Sequence, residues 1–473
     1  MGKFYITTTT PYVNAKPHFG FAMEIVRADV VARTHALLGE EIFFNTGTDE
    51  HGQKIYNEAL KAGQTPQEYV DEWAVKFDKL KKYLNLSYNN FIRTTDRHHL
   101  SAAQEFWHRC NANGDIYKKN YQIKYCIGCE LPKTDSELVD GKCPLHSNRE
   151  LEIREEENYF FRFSKYQKEL LGLYESRPDF IVPSFRLEEI KTFVREGLTD
   201  FSISRLKSKM PWGVDIPDDS EQVMYVWFDA LVNYISALGW PENEEKFNSF
   251  WPGVQIAGKD NLRQQTAMWQ AMLMSAGLPT SRQIFIEGFV TGEGGIKMSK
   301  SLGNVIDPIE YVEKYGTDAV RYYILAKFSS YEDSPISQKL FEEAYNSDLA
   351  NGIGNLVARV STMAEKSSIK YQVSGSKQIS NEVVREINKW DFNEAMEYIW
   401  QQIKNADTLI NEREVWKLEG EEKEKVLIDL VNRLRQIGTD LAPFLPETAE
   451  KILKTFEGPE VKKSEILFPR LSK

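Results

Sequence analysis

Apolar positions near the N-terminus change their period twice. Phe4-Tyr5-Ile6 is a short β-prone run, and from Pro17 to about Leu38 the apolar residues recur at the spacing of one helix face. Gly39 stops that period, and Ile42-Phe43-Phe44-Asn45 reads as a second strand. Strand, helix and strand at this spacing predict a parallel βαβ unit with a right-handed crossover. Ligands of such sheets bind beyond the carboxyl ends of the strands. The stretch from about Pro66 to Asn85 reads as an amphipathic scaffold helix. Val223 to Ala237 reads as a further helix, with Trp227, Leu231 and Tyr234 at i, i+4 and i+7 on one face. Ile256-Ala257-Gly258 is a strand, and the turn Lys259-Asp260-Asn261 follows it at the ligand-binding edge. Gly316 stops one helix, and Thr317 or Asp318 starts the next. From about Asn346 onward long helical patterns dominate and β-branched runs disappear, which places a domain boundary near Ser347. The fold class is α/β, followed by an α-helical bundle.

With 473 residues the chain has room for roughly two to four domains. Its formal net charge of -11 leaves any nucleic-acid partner to local basic patches. Three of the four cysteines have metal-like spacing, which suits a reducing compartment better than a disulfide framework. No apolar run approaches membrane-spanning length, and the N-terminus lacks a signal-peptide core, so a soluble, cytoplasmic chain with no membrane contact is expected. Internal repeats and low-complexity tracts are absent. His98, His99, His108 and Cys110 match no ligand spacing and read as surface or core residues.

Four stretches carry candidate chemistry. Gly294-Gly295-Ile296-Lys297-Met298-Ser299-Lys300-Ser301-Leu302-Gly303-Asn304 sets two lysines three apart on a segment hemmed by glycines. Such a loop can bring paired ammonium groups onto a phosphate chain, where a dissociative transition state needs positioned positive charge. Alone, the same residues fit a solvated turn. In Thr7-Thr8-Thr9-Thr10-Pro11-Tyr12-Val13-Asn14-Ala15-Lys16-Pro17-His18-Phe19-Gly20, a strand feeds a turn and then a helix with Pro17 in its first turn. His18 and Gly20 then stand at a helix N-terminus, a natural phosphate site. Gly20 lets a flat adenine lie on bare backbone, and His18 can donate to a phosphate oxygen. Thr46-Gly47-Thr48-Asp49-Glu50-His51-Gly52 falls past the second strand, with Asp49 placed to receive a substrate ammonium and His51 close by. Finally, Cys126-Ile127-Gly128-Cys129 and Cys143-Pro144-Leu145-His146 are two knuckles that can surround one tetrahedral zinc in a closed, structural site.

Together, the Thr7–Gly20 stretch and Lys297-Met298-Ser299-Lys300-Ser301 resemble the two signatures of class I aminoacyl-tRNA synthetases, and their surroundings are similar to the methionyl-tRNA synthetase family in particular. The likeness covers nearly the whole chain. It implies a Rossmann-like parallel-sheet catalytic domain in two halves, 1–115 and 223–290, split by a connective insert with the zinc knuckle at 116–222. A lysine-loop and stem-contact region at 291–346 and an α-helical anticodon-binding domain at 347–473 would follow. The insert is too short for the editing domain of relatives that handle branched aliphatic residues.

The implied reaction activates L-methionine with ATP and Mg2+, then transfers it to the 3′-terminal adenosine of tRNA(Met). The resemblance assigns catalysis to His18, Lys297, Lys300 and Arg205, and ATP binding to His18, Gly20, Glu24, Lys297, Met298, Ser299 and Lys300. Methionine would be held by Thr9, Thr10, Tyr12, Asp49, Trp227, Leu231, Tyr234, Asp260, Gln265 and Trp269, where Tyr12 and Trp269 close a pocket whose aromatic edges suit a thioether. Asp260 would hold either the ribose or the ammonium. Zn2+ would sit on Cys126, Cys129, Cys143 and His146. Asn355 and Arg359, four apart on one helix face, would read the anticodon with Trp416 as a stacking platform. A monomer is expected.

The chain departs from the family pattern at several positions. Phe21 stands where histidine or asparagine is usual, Gln265 replaces a histidine, and Gln264 replaces an aromatic residue. Thr9 and Thr10 replace smaller or apolar residues, and Val415 replaces the proline before Trp416. These changes bear on rate and selectivity more than on reaction class. They leave open a class I synthetase for a related apolar amino acid, or a non-catalytic tRNA-binding paralogue.

Overall fold

The computed structural model describes residues 2–13, 16–126, 131–133, 138–144, 150–295, 306–371 and 378–471. Its centre is a six-stranded sheet in the spatial order Asn90–Arg93, Glu41–Thr48, Lys3–Thr7, Val254–Gly258, Gln283–Glu287, Ile181–Val182. Every neighbouring pair is parallel. Phe4, Tyr5, Ile6, Phe43 and Phe44 are all buried. Continuous apolar runs of this kind are what a parallel sheet covered on both faces requires. Gly47 has its own steric reason: a Cβ there would lie 1.8 Å from the Ile92 carbonyl oxygen, inside the neighbouring strand. The helix Phe19–Leu37 crosses back over the sheet, and Gly39, with φ of 86°, turns the chain into the next strand. Strand order reverses between Lys3–Thr7 and Val254–Gly258, which creates a crevice at their carboxyl ends.

The insert begins with a long antiparallel arm, Ile116–Cys126 paired with Glu152–Phe161. At its end Cys126 pairs with Leu131 of the strand Leu131–Lys133. Farther on, Val139 and Lys142 exchange backbone hydrogen bonds of 2.9 and 3.0 Å around Asp140 and Gly141, both at positive φ. This is a tight two-residue turn, and it delivers Cys143, buried, directly after it. Cys129 and His146 lie outside the described residues, as do Lys297, Met298, Ser299 and Lys300.

Two helices expected from the sequence are divided. Val223–Ala237 is not one helix: Val223 and Met224 pair with Arg205 and Ser204 in a small antiparallel sheet, and Tyr225 stays extended. Short helices follow at Val226–Ala230 and Asn233–Ser236. Backbone pairing there overrides the 3.6-residue period. The amphipathic stretch after Pro66 likewise splits into Pro66–Asp78 and Leu80–Tyr83, with Asn85 at φ 49°.

The C-terminal part contains the helices Asn355–Lys366, Asn381–Asn388, Phe392–Glu412, Gly420–Leu441 and Pro446–Thr455. A helical run crosses position 347: Gln338–Ala344 continues into wide turns over Tyr345–Gly354 that kink at Gly352. One apolar core extends from Phe4 to Phe468. Arg321, fully buried, pins the parts together. It donates to the carbonyls of Leu84 (3.0 Å), Pro443 (2.9 Å) and Phe444 (2.7 Å) and pairs with Asp29 at 2.8 Å. Among the described residues, no helix is long and apolar enough to cross a membrane.

Candidate active site

A cleft of about 680 Å³ opens at the switch point of the sheet. At one end the first helix begins with His18 as its N-cap, in extended backbone. The His18 Nδ1 accepts from the N–H of Gly20 at 3.1 Å and of Phe21 at 3.4 Å. An Nδ1 that accepts puts the proton of a neutral imidazole on Nε2, so the ring keeps one donor for a ligand. Desolvation within the cleft lowers the imidazole pKa, against the opposing pull of Asp260, and favours this neutral form. Gly20 is a steric requirement of the arrangement: a Cβ would stand 2.9 Å from His18 Cε1 and 3.0 Å from Nδ1.

One turn on, a Glu24 carboxylate oxygen accepts from both the N–H and the Oγ1 of Thr9, at 2.6 Å each. Burial, and then the nearby Glu287, hold the Glu24 carboxyl well above its ordinary pKa. Burial likewise raises Glu287, to about 7, although Arg27 opposes the shift. Arg27, fully buried, pairs with Glu287 at 3.0 Å and donates to the carbonyls of Ser329 (2.7 Å) and Ser330 (3.3 Å). Sequence reasoning missed this pair, whose members are 260 positions apart. The stem entering the lysine loop lines the cleft, and the stem leaving it is tied to a cleft residue. Gly288, Phe289 and Val290 line it, and Lys16 pairs at 3.7 Å with Asp307, the N-cap of the helix beginning at Pro308. Gly294 and Gly295, the last described residues before the loop, are both at positive φ. Asp260 stands exposed at the rim.

At the other end, Asp49 and Tyr12 are drawn together by a backbone bridge, with Asp49 N–H donating to Pro11 O at 3.0 Å. Asp49 lines the cleft, yet it is buried and its Oδ1 has no hydrogen-bond partner. Burial, and then the charge of Asp229, push its carboxyl pKa well up. Trp227, Ala230, Leu231, Asn233 and Tyr234 form the facing wall; Asn233 is a further residue that sequence reasoning missed. Trp227, Leu231 and Tyr234 share this wall although the helix expected to align them is broken. The Tyr234 hydroxyl accepts from Gln265 Nε2 at 2.6 Å, and Gln265 Oε1 accepts from Gln255 at 3.3 Å. Gln265 is therefore a fixed amide beneath the pocket, and Gln264 lines the cleft beside it. Thr9 and Thr10 complete this end.

Two expected residues stand back from the cleft. Trp269 is fully buried, stacked on Phe106 at 5.6 Å and edge-on to Tyr234 at 5.9 Å, so Tyr234 separates it from the pocket. Arg205 donates to Ser202 Oγ at 2.9 Å and Ser204 O at 2.6 Å, with its guanidinium over the Tyr225 ring.

In the helical part, Asn355 is exposed and Arg359 follows one turn later. The Arg359 guanidinium pairs with Asp407 and donates to Asn411 Oδ1 at 2.8 Å. Trp416 is 51% exposed, while its neighbour Val415 is buried. The indole therefore does not plug the bundle.

A family model described as "tRNA synthetases class I (M)" matches residues 4–150 and 136–361. The methionine–tRNA ligase of Clostridium acetobutylicum is 42% identical over an alignment covering 99% of this chain and 78% of that protein. The Thermotoga maritima enzyme of the same name is 40% identical, covering 96% and 75%. Among solved structures, Mycobacterium tuberculosis methionyl-tRNA synthetase in complex with methionyl-adenylate superposes with a TM-score of 0.89 at 34% identity, covering 99% of this chain and all of that one. A parallel-sheet cleft with a capped helix N-terminus at one end and an unpartnered carboxylate at the other, in a chain matched over nearly its whole length by these proteins, places it among the class I methionyl-tRNA synthetases, the methionine–tRNA ligases.

Proposed function

We propose that the two ends of the cleft divide the two substrates of methionine activation. ATP lies at the helix N-terminus, where His18 Nε2–H donates to a phosphate oxygen and Gly20 leaves room for the base. Methionine lies against the Tyr12, Trp227, Leu231 and Tyr234 wall, and its ammonium meets Asp49. The methionine carboxylate then attacks the α-phosphate, pyrophosphate departs, and the ribose hydroxyl of tRNA(Met) takes the aminoacyl group at the same site. Lys297 and Lys300 would neutralise the departing pyrophosphate, with Met298 and Ser299 completing the loop's contact. The entering stem in the cleft lining and the Lys16–Asp307 pair on the leaving stem support that reading. Asp260 at the rim holds the ribose or the ammonium. Glu24 orders the Thr9 backbone from beneath, and Arg205 braces Tyr225 beside the pocket wall. Magnesium enters with the nucleotide phosphates.

One observation carries this reading: a buried carboxylate oxygen without a partner is costly unless a cation completes it, and Asp49 Oδ1 is such an oxygen inside the cleft. Asp49→Asn preserves shape and removes charge. Its KM for methionine in ATP–pyrophosphate exchange should rise roughly tenfold to a hundredfold, the scale of one lost hydrogen bond to a charged group. An unchanged KM would refute the assignment.

Three thiolates and an imidazole at Cys126, Cys129, Cys143 and His146 suit a closed tetrahedral zinc. The pairing of Cys126 with Leu131 and the tight turn directly before Cys143 support it, since both cysteines sit at ends of paired strands or turns in the insert tip. Zinc there would stabilise the insert tip and take no part in the reaction. Asn355, Arg359 and Trp416 would read the anticodon. The domain limits 1–115, 116–222, 223–290, 291–346 and 347–473, a monomeric state and a cytoplasmic location complete the proposal.

A further inference from the structure

Behind the amino-acid end of the cleft lies a second buried carboxylate. Asp229 is fully buried on the short helix Val226–Ala230, the element that also carries the wall residues Trp227 and Ala230. Its Oδ2 accepts from His51 Nδ1 at 2.8 Å, and its Oδ1 has no partner. His51 also lies by the other carboxylate, two positions along the chain, where its backbone N–H helps offset the rise in the Asp49 pKa. The imidazole is held in place by an edge contact to Trp212 at 5.6 Å between ring centres. Trp212 in turn donates from Nε1 to Glu50 O at 2.6 Å and accepts at its carbonyl from Gly52 N–H at 3.2 Å. One residue thus stands between two buried carboxylates, beside the first in the chain and bonded to the second through its side chain.

A single substrate ammonium can neutralise only one carboxylate. In a low-dielectric site a second bare carboxylate would share a proton with the first, or draw the ammonium toward itself. We propose that His51 is a positioning residue for methionine binding: it occupies Asp229 so that the negative charge offered to the ammonium rests on Asp49 alone. The inference builds on the reading of Asp49 as the ammonium site. Burial raises the pKa of both carboxyls, the charge of Asp229 adds to the rise at Asp49, and His51 opposes the rise at Asp229.

His51→Leu removes the side-chain donor and leaves the backbone N–H. In ATP–pyrophosphate exchange its KM for methionine should rise at least about tenfold, with KM for ATP unchanged, because a lost charge-assisted bond acts at the amino-acid end only. His51→Asn, whose Nδ2 falls where Nδ1 stood, should keep most of the affinity. The double variant His51→Leu/Asp229→Asn should recover a large part of what His51→Leu lost, since the competing carboxylate is gone. A purely structural role predicts the reverse, with the double variant no better than the single. The inference is overturned if KM for methionine does not move in His51→Leu, if both KM values rise together, or if the double variant shows no recovery. If Asp49→Asn raises KM for methionine while His51→Leu does not, His51 alone is misassigned. If Asp49→Asn leaves KM untouched, the ammonium site itself is elsewhere.

Discussion

Adding one methyl group at Gly20 separates the stability of the first helix from its chemistry. Gly20 lies inside the helix Phe19–Leu37 at an ordinary helical φ, so alanine fits the backbone. The new Cβ would stand 2.9 Å from His18 Cε1 and 3.0 Å from Nδ1, closer than carbon atoms tolerate. The imidazole must then swing off its two N–H donors at 3.1 and 3.4 Å. Losing that cap costs about 1 kcal/mol, and replacing glycine by alanine in a helix returns about 1 kcal/mol. The unfolding free energy should therefore barely change. The reaction has no such offset: moving one preorganised donor off a transition-state oxygen costs about 3 kcal/mol, a hundredfold or more in rate. Gly20→Ala should lose that factor in kcat of ATP–pyrophosphate exchange while its denaturant midpoint stays put. His18→Asn is the matching control. Its Oδ1 overlays Nδ1 and keeps the cap, but nothing replaces Nε2, so activity should fall equally with no loss of stability. Near-normal exchange in Gly20→Ala, or a rate loss tracked by an equal loss of stability, would refute the geometry.

Three further outcomes are expected. Lys297→Ala/Lys300→Ala should suppress adenylate formation by about 3 kcal/mol or more per group and leave the fold intact; near-normal exchange would remove the lysines from the mechanism. Freshly purified protein should carry one zinc per chain, and elemental analysis well below that, with Cys126, Cys129, Cys143 and His146 intact, would dismiss the metal site. Trp416→Ala should weaken aminoacylation by about 1–3 kcal/mol, the scale of one lost base stack, and leave exchange without tRNA unchanged. Equal loss in both assays would make the indole a structural residue, and no loss in either would move anticodon reading elsewhere.

Local periodicity and short motifs made the βαβ start, the helix-terminal place of His18 and the position of Asp49 past the second strand legible, because each depends on neighbours within a few residues. Trp227, Leu231 and Tyr234 were correctly grouped for a wrong reason. A helix stripe predicted one face, whereas a strand and two short helix turns bring them to one wall. Trp269, named through the resemblance, packs behind Tyr234, a layering that short-range spacing does not reveal. Pairings set by tertiary packing left no trace in the sequence. Arg27 reads as one charge on an apolar helix, and only the sheet edge at Glu287, far along the chain, explains why it is buried.

Arg321 has a mechanical consequence. Its guanidinium clamps Asp29 in the first helix, the Leu84 carbonyl and the carbonyls of Pro443 and Phe444 before the last helix, with one apolar core continuous around it. A hinge between cleft and helical bundle would strand a buried cation and three backbone acceptors. The cleft floor and the exposed indole of Trp416 are therefore two marks on a rigid ruler, and a nucleic acid that touches both must match the ruler's length by its own shape.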